Sequence, residues 1–320
     1  MHMVLVGPAF SAGNLHAAEI GILNEARRIG WQVQAVDPRE QMRLGNPLWW
    51  QDVVEAARPG ADFILVPGCC PYPEEIASIR KGLRETRAAV PIVNWNAEEV
   101  RRAAYGKRMR ENSPLYDHIF HFDQSAIALY PDPSKVAWLP LGFDPARHVP
   151  VDAPKDPALY FVGSMEGKHR NRQRMVRFLE KHELPVRTFN CWDPDEVSRL
   201  YSRAAVVLNL GLFVEKSQFK QLDGWGFQQR IFEAMGSDAV ILTNQPREYP
   251  QHNNHHAITP GSNIHFFEGR KHLLEQARRL LEDAELRTAT AASVAATKDQ
   301  HTYGARLLEM REGLARAGVL

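Results

Sequence analysis

Short runs of Val, Ile and Leu alternate along this chain with longer segments in which apolar residues recur every three to four positions. The short runs are typical of buried strands, and the longer pattern is typical of amphipathic helices. Their regular alternation predicts βα units built around parallel sheets. The fold class is therefore predicted to be α/β.

In the first half of the chain, this pattern predicts six strands and four helices. The strands are Met3–Gly7, Trp31–Val36, Ala61–Val66, Val90–Val93, His118–Phe122 and Val136–Leu139. The helices are His16–Ile29, Trp49–Ala57, Pro73–Arg84 and Gln124–Leu129. Together they make one α/β domain.

Turn-forming residues are concentrated in the segment from Leu139 to Pro157, which holds five of the prolines and Gly142. Such a cluster predicts a domain boundary. We predict an N-terminal domain of residues 1–145 and a C-terminal domain of residues 146–320. The length of 320 residues fits two domains at about 150 residues each, and we expect a cleft between them.

After this boundary the same alternation begins again. The predicted strands are Leu159–Val162, Val186–Asn190, Ala205–Leu210 and Ala239–Asn244. The predicted helices are Asn171–Lys181, Asp195–Ser202 and Gly226–Met235, followed by helical sequence from about Arg270 onward. The second half is thus a second α/β domain.

Composition and charge exclude several classes of protein. The chain is 44% hydrophobic and 24% charged, as in ordinary globular proteins, which excludes a disordered or fibrous chain. The net charge is +1, so no overall field favours unspecific binding to nucleic acid or to an anionic membrane. The longest apolar stretch, Ala204–Val214, is shorter than the roughly 20 residues of a membrane span. No membrane span is expected.

The three cysteines, Cys69, Cys70 and Cys191, show no spacing typical of metal ligands. So few thiols in a chain of this length predict a reducing compartment and no disulfide framework. We therefore expect a cytoplasmic protein without a protein-bound metal.

The loop after the first strand, Gly7 to His16, opens a helix, and its backbone amides could receive an anion or a polar substrate. It lacks the G-x-G-x-x-G spacing, and the chain has no G-x-x-x-x-G-K-[ST] sequence, so a dinucleotide enzyme or a P-loop nucleotidase is not favoured. His16 is a candidate general base. The alternative is a polar group at a helix end.

A second strand-loop-helix sequence, residues 161–172, contains two glycines, Gly163 and Gly167. Lys168, Arg170 and Arg172 add positive charge beside the helix N-terminus. Glycines, backbone amides and basic side chains are what a diphosphate needs. The alternative is a basic helix face in solvent.

The predicted helix Gly226–Met235 has an apolar face, and its other side carries Arg230 and Glu233. Close to a diphosphate loop, the carboxylate could accept hydrogen bonds from a ribose diol while the guanidinium faces phosphate. The alternative is a surface ion pair three residues apart, which stabilises a helix by roughly 0.2–0.5 kcal/mol.

The order of the segments FVGS…NR, VVLNL, QQRIFEAMGSDAVILTN and HTYGAR resembles the C-terminal half of GT-B glycosyltransferases, and most closely the spore-maturation, CgeB-like group. The segment LPLGFDPARHVP is similar to the interdomain linker of that group. The resemblance covers roughly residues 116–310. It implies the GT-B architecture, in which two Rossmann-like βαβ domains face each other across a cleft and the last helices cross back to the first domain.

The resemblance also implies a function. A nucleoside-diphosphate sugar, with UDP or GDP as its nucleotide, would be bound mainly by the C-terminal domain and would donate its sugar to an acceptor hydroxyl in the cleft. No cofactor and no obligatory metal are implied. The acceptor, whether a glycan, a protein, a small molecule or a modified nucleic acid, stays open.

Site residues follow from the resemblance position by position. Glu233 matches the glutamate that holds the donor ribose, and Arg230 matches the arginine before it. The family's loop and basic residue near the diphosphate are matched by Gly163, Ser164 and Arg172. Trp192 stands where such folds often recognise the base, although an aromatic residue at a strand end is commonly core.

In the first domain, the segment Asn94 to Glu99 follows a strand, at a place where the family tends to carry acidic residues. Glu98 is a candidate to orient or deprotonate the acceptor hydroxyl. Helix capping is the equal alternative.

One position departs from the family pattern. Related retaining enzymes often carry two glutamates separated by seven residues, and Trp225 occupies the place of the first. The stereochemical outcome and the sugar therefore stay open.

Three other functions are compatible with the same architecture. They are a glycosyltransferase that modifies a hydroxylated DNA base, a nucleotide-sugar epimerase and a non-catalytic binding protein. For the first, the basic residues could contact phosphate, although the near-neutral net charge argues against it and a solvated helix face is the favoured explanation. These residues are Arg101, Arg102, Lys107, Arg108 and Arg110.

Overall fold

The computed structural model describes residues 1–8, 18–98, 100, 103–165, 170–211, 226–245 and 257–320. It divides into two units, the first formed by Met1–Leu141 together with Tyr303–Leu320 and the second by Gly142–Thr302. The chain therefore passes from one unit to the other after Leu141 and returns after Thr302. The boundary predicted after residue 145 lies within the second unit, close to the first of these crossings.

The first unit contains a parallel sheet with the strand order β2-β1-β3-β4-β5-β6. Its strands are β1 (His2–Val6), β2 (Gln32–Val36), β3 (Phe63–Pro67), β4 (Ile92–Asn96), β5 (His118–His121) and β6 (Val136–Trp138). Its helices are α1 (Ala18–Arg28), α2 (Pro38–Arg43), α3 (Trp50–Ala57), α4 (Pro73–Glu85), α5 (Ala103–Asn112) and α11 (Tyr303–Arg316). Every residue of β1 and β4 is buried, as expected for strands covered on both faces.

Three helices of the first unit differ from the sequence prediction, and one of them is α5, which was not predicted. The predicted helix Gln124–Leu129 is a 3-10 helix, whose first turn is capped by Asp123. Helix α2 was not predicted, although its start is marked in the sequence: the Asp37 side chain accepts hydrogen bonds from the amides of Arg39 and Glu40, and Pro38 stands at the first position.

The second unit contains a parallel sheet with the strand order β11-β10-β9-β7-β8. Its strands are β7 (Asp156–Val162), β8 (Val186–Phe189), β9 (Ala204–Asn209), β10 (Ile241–Asn244) and β11 (His265–Phe267). Its helices are α6 (Arg170–Lys181), α7 (Pro194–Arg203), α8 (Gln229–Gly236), α9 (Gly269–Glu282) and α10 (Ala284–Thr297). The two parallel sheets with their helices confirm the predicted α/β class.

Helix α8 begins three positions later than predicted. Gly226 has a φ of +49°, which a right-handed helix does not allow, and Gln228 is the extended residue before the first turn. Strand β11, of three residues, was not predicted.

The proline-rich segment after Leu141 is bonded to the second unit. The Phe143 amide donates to the His301 carbonyl at 3.1 Å. The Ser198 hydroxyl of α7 donates to the Arg147 carbonyl, and the Ser202 hydroxyl accepts from the Val151 amide, both at 2.9 Å. These residues are therefore a fixed part of that unit rather than a free linker.

Helix α11 completes the first unit by packing on α1. The Gly304 amide donates to Glu25 Oε2 at 3.2 Å, and Arg306 Nε donates to the Leu141 carbonyl at 3.1 Å. The Arg306 side chain is fully buried, and this burial lowers its pKa to about 10. A charged group at this depth is tolerated only when it is hydrogen-bonded, so α11 is held firmly to the first unit.

Within the ranges that the structure describes, no helix is both long enough and apolar enough to cross a membrane.

Candidate functional site

The carboxyl end of β7 meets the first turn of α8. Arg230 Nη1 donates a hydrogen bond to the carbonyl of Val162, the last residue of β7. The next residue, Gly163, has a φ of +150°, and a Cβ at this position would lie 2.5 Å from Arg230 Nη1. The guanidinium is the end of a flexible side chain and could move, so the positive φ, which residues with a Cβ rarely adopt, explains the glycine.

Trp192, which follows β8, lies against the same arginine. The Arg230 Cζ atom is 4.7 Å from the centre of the indole ring, within the range of a cation–π interaction. The Trp192 side chain is 48% exposed, so this aromatic residue is not part of the core. The predicted phosphate-side arginine and the predicted base-side tryptophan are thus in contact.

Arg172 of α6 joins two strand ends. Its Nε donates to the Leu210 carbonyl after β9 at 3.0 Å, and its Nη1 donates to the Ser164 carbonyl after β7 at 3.1 Å. The side chain therefore fixes the loop that carries Gly163 and Ser164, and it brings positive charge to that loop.

Glu233 lies one turn after Arg230, and its side chain is 16% exposed. Its Oε1 accepts a hydrogen bond from Gln229 Nε2 at 2.9 Å and lies 3.9 Å from Nε2 of His148. Among the described residues, none donates a hydrogen bond to Oε2. One oxygen of this carboxylate is thus held by the protein. Glu233 bonds to Gln229 and Arg230 bonds to the Val162 carbonyl, so the two residues do not form the surface ion pair that was the alternative.

His148 was not among the predicted site residues. It belongs to the proline-rich segment, in a turn where its amide donates to the Asp144 carbonyl at 2.9 Å. Nothing local in the sequence connects this histidine with Glu233, because the contact depends on how the segment packs against α8.

The ends of β9 and β10 are joined beside the start of α8. The Gly211 amide, beyond β9, donates to Asn244 Oδ1 at the end of β10 at 2.8 Å. A Cβ on Gly211 would lie 2.9 Å from Nε2 of Gln228, the residue that precedes α8. The ends of β7, β9 and β10 and the start of α8 therefore form one site, which we call the α8 site.

The sequence Asp193-Pro194-Asp195 has the Asp-x-Asp form of some metal sites. In the structure, Asp193 Oδ1 accepts the amides of Asp195 and Glu196, both at 3.0 Å. This carboxylate is therefore the N-cap of α7.

In the first unit, Glu98 follows β4 and is half-buried. Its amide donates to Asn96 Oδ1 at 2.9 Å, and its carbonyl lies 3.3 Å from His121 Nε2. The other candidate of this unit, His16, lies outside the described residues. So do Arg101, Arg102, Trp225 and, in the predicted diphosphate loop, Gly167 and Lys168. The catalytic roles of His16 and Glu98 stay predictions, and so do the donor-binding roles of the residues at the α8 site.

The three thiols should differ strongly in reactivity. Burial raises the pKa of Cys69 to about 11 and raises that of Cys70 further, whereas Cys191 is half-buried beside Trp192. At pH 8 only about one in a thousand Cys69 side chains is then a thiolate, the reactive form. With a thiol-reactive disulfide reagent, we expect fast reaction at Cys191 alone, and reaction of all three cysteines in denaturant. Fast reaction of a second thiol in the native protein would contradict the burial of the Cys69–Cys70 pair.

Comparisons with known proteins agree with the resemblance found in the sequence. Residues 163–312 match the model of a family described as glycosyl transferase-like. This match confirms the resemblance to glycosyltransferases, and the narrower resemblance to the CgeB-like group stays a prediction. The comparison with curated proteins gives no match.

Several solved structures share the fold over nearly the whole chain. An α-glucosyltransferase in complex with UDP and a 13-mer DNA containing an HMU base is 10% identical, with a TM-score of 0.64 over 98% of this chain and 99% of that chain. A glycosyltransferase from Rickettsia africae is 10% identical, with a TM-score of 0.61 over 99% and 97% of the two chains. The lipopolysaccharide outer core galactosyltransferase WaaB in its apo form is 10% identical, with a TM-score of 0.53 over 96% and 98%. At this identity the structures show the fold, which confirms the predicted GT-B architecture of two Rossmann-like units.

Proposed function

We propose that this protein, a GT-B glycosyltransferase by its fold and by the family matched over residues 163–312, moves a sugar from a nucleoside-diphosphate sugar to an acceptor hydroxyl. The donor binds at the α8 site of the second unit. The acceptor binds in the first unit, where Glu98 receives its proton.

One observation carries the donor part of this proposal. At the α8 site, a guanidinium beside a glycine loop and a carboxylate with one oxygen free of described donors lie on successive turns of one helix. The guanidinium of Arg230 suits the charge of a diphosphate. The Gly163 amide itself already donates to the Phe189 carbonyl at 2.7 Å. Oε2 of Glu233 can accept a hydrogen bond from a ribose hydroxyl, because an ionised carboxylate is an acceptor only.

UDP is the first nucleotide to test. Solved α-glucosyltransferases with this fold have been described in complex with UDP and with UDP-glucose. The base would lie near Trp192, whose exposed indole can stack on a pyrimidine ring. GDP, with its larger purine, is the alternative.

The proposal is tested by a thermal-shift screen of nucleoside diphosphates and their sugars, followed by an assay of the product. A ligand that binds only the native state at 100 times its Kd stabilises that state by about 2.7 kcal/mol, which is a clear rise in Tm. Transfer, hydrolysis and epimerisation of the bound donor are distinguished by analysing the sugar product. No shift with any diphosphate would favour a non-catalytic protein, and an epimerised sugar would favour the epimerase.

A nucleic-acid acceptor is the second candidate. Helix α5 presents exposed Lys107, Arg108 and Arg110, which can contact phosphate groups. Lys107 is engaged with Glu111 at 3.8 Å, so the two arginines carry this argument. DNA with a hydroxymethylated base, compared with the same unmodified duplex as acceptor, distinguishes this candidate from a glycan or small-molecule acceptor.

Turnover is expected to persist after chelation of divalent metals. The family resemblance implies no obligatory metal, and the Asp193 carboxylate is already used as the cap of α7. Activity is measured with UDP-glucose before and after EDTA, and again after addition of manganese or magnesium. Complete loss on chelation with recovery on metal addition would show that the diphosphate requires a cation.

A further inference from the structure

Two fully buried polar side chains hold the peptide groups of Glu98 from two different strands. Asn96, the last residue of β4, accepts the Glu98 amide on its Oδ1. His121, the last residue of β5, has its Nε2 3.3 Å from the Glu98 carbonyl oxygen. Both the donor and the acceptor of a single backbone residue are therefore engaged by side chains.

Each of these side chains is itself fixed. Asn96 Nδ2 donates to the Tyr130 hydroxyl at 2.7 Å. His121 Nδ1 lies 3.0 Å from the Asp123 amide nitrogen and 2.8 Å from the Asp123 carbonyl oxygen. The position of the ring proton decides the roles of the two nitrogens. A proton on Nε2 lets the ring donate to the Glu98 carbonyl and accept the Asp123 N–H, whereas a proton on Nδ1 is donated to the Asp123 carbonyl.

Such a network is costly to build in a protein interior. A buried polar group is tolerated only with its hydrogen bonds made, and apolar side chains at the same positions would avoid that requirement. The buried polar side chains beside Glu98 therefore indicate that hydrogen bonds fix the position of this residue, which burial by apolar side chains would not do.

We propose that Asn96 and His121 are positioning residues that hold Glu98 where an acceptor hydroxyl is deprotonated. This inference rests on the proposed transferase function. In the reaction, the acceptor oxygen bonds to the anomeric carbon while the bond from that carbon to the diphosphate oxygen breaks. The diphosphate leaves with the bonding electron pair, and the acceptor proton passes to the Glu98 carboxylate.

Asn94 provides a matched control on the same strand. It is fully buried two residues before Asn96, and its Nδ2 donates to the carbonyls of Val66 and Gly68 at 2.7 and 2.9 Å. Asn94→Ala and Asn96→Ala thus remove the same kind of group from the same strand. Only the second removes a partner of Glu98.

The first measurement is amide hydrogen exchange at Glu98 in the full-length protein. We expect Asn96→Ala to speed exchange at Glu98 by about tenfold or more, since loss of about 1.4 kcal/mol of local protection corresponds to a factor of ten. Asn94→Ala should lower Tm to a similar extent and leave the Glu98 amide protected. Equal exchange at Glu98 in the parent and in Asn96→Ala would overturn the proposal.

The second measurement is UDP release from UDP-glucose, with kcat and KM determined separately. Misplacing a reacting group by about 1 Å costs about 10²-fold in rate, so Asn96→Ala and His121→Phe should lower kcat strongly while the KM for UDP-glucose changes little. Neither variant should lower kcat further in a Glu98→Gln background, because residues that act through one group are not additive. Additive losses would show that the two residues act independently of Glu98, against the proposal.

The two measurements distinguish the inference from the proposed function. A parent protein that binds no nucleotide and releases no UDP contradicts the function. The exchange experiment still decides whether Asn96 holds Glu98.

Discussion

Glu233→Ala should weaken binding of UDP by about ten- to a hundredfold and leave the fold intact. Loss of hydrogen bonds from a diol to a charged acceptor costs about 1.5–3 kcal/mol, and each 1.4 kcal/mol is tenfold in Kd. The carboxylate is partly exposed, and its replacement by alanine leaves the buried apolar residues of α8 unchanged. Isothermal titration calorimetry with UDP gives the affinity, and thermal unfolding checks the fold.

The control for this variant is Glu180→Ala, an exposed glutamate on α6 of the same unit. It changes the net charge equally and should leave the affinity unchanged. Equal affinities for the parent and Glu233→Ala would remove Glu233 from the donor site. Equal losses in both variants would point to a general effect of charge.

Gly236→Val should lower the free energy of unfolding by about 2–3 kcal/mol, because overpacking a tight contact costs 1–3 kcal/mol or more. Gly236 ends α8, and a Cβ there would lie 2.7 Å from Phe143 Cδ2 and 2.8 Å from the His148 carbonyl oxygen. The gain in helix propensity on replacing glycine is less than 1 kcal/mol, so the steric cost exceeds it.

Denaturant unfolding followed by tryptophan fluorescence measures this loss. Phe143→Ala in the Gly236→Val background supplies the coupling test, since removal of the ring makes room for the new side chain. The two changes together should cost less than the sum of the single changes. Strict additivity would mean that Phe143 does not limit the space at Gly236.

Much of the fold could be predicted from local sequence. The apolar runs that became β1, β3, β7 and β9 are buried on both faces of their sheets, and such strands give an unambiguous hydrophobic signal. Strand β11 has only three residues, too few for any periodicity, and it forms by pairing with β10. Helix α8 starts late because a glycine with positive φ interrupts an apolar pattern that periodicity alone extends further.

The candidate site was predictable only in part. Gly163, Arg230 and Trp192 were each singled out from the sequence, and the structure brings them into contact. Other members of the site were not visible in the sequence. His148, which lies near Glu233, and the bonded pair Gly211 and Asn244 come from separate segments that meet only after folding. Local signals report what a residue can do chemically, whereas its neighbours depend on tertiary packing.

The first unit is built from both ends of its sequence, since α11 packs on α1 and the Gly304 amide bonds to Glu25. During synthesis, the second unit emerges from the ribosome complete while the first still lacks one of its helices. Domains generally fold as units as they emerge, the N-terminal one first. Here the α1 surface that α11 covers stays bare until Tyr303 and the residues after it have been made. The first unit is therefore completed only after the whole of the second has been translated.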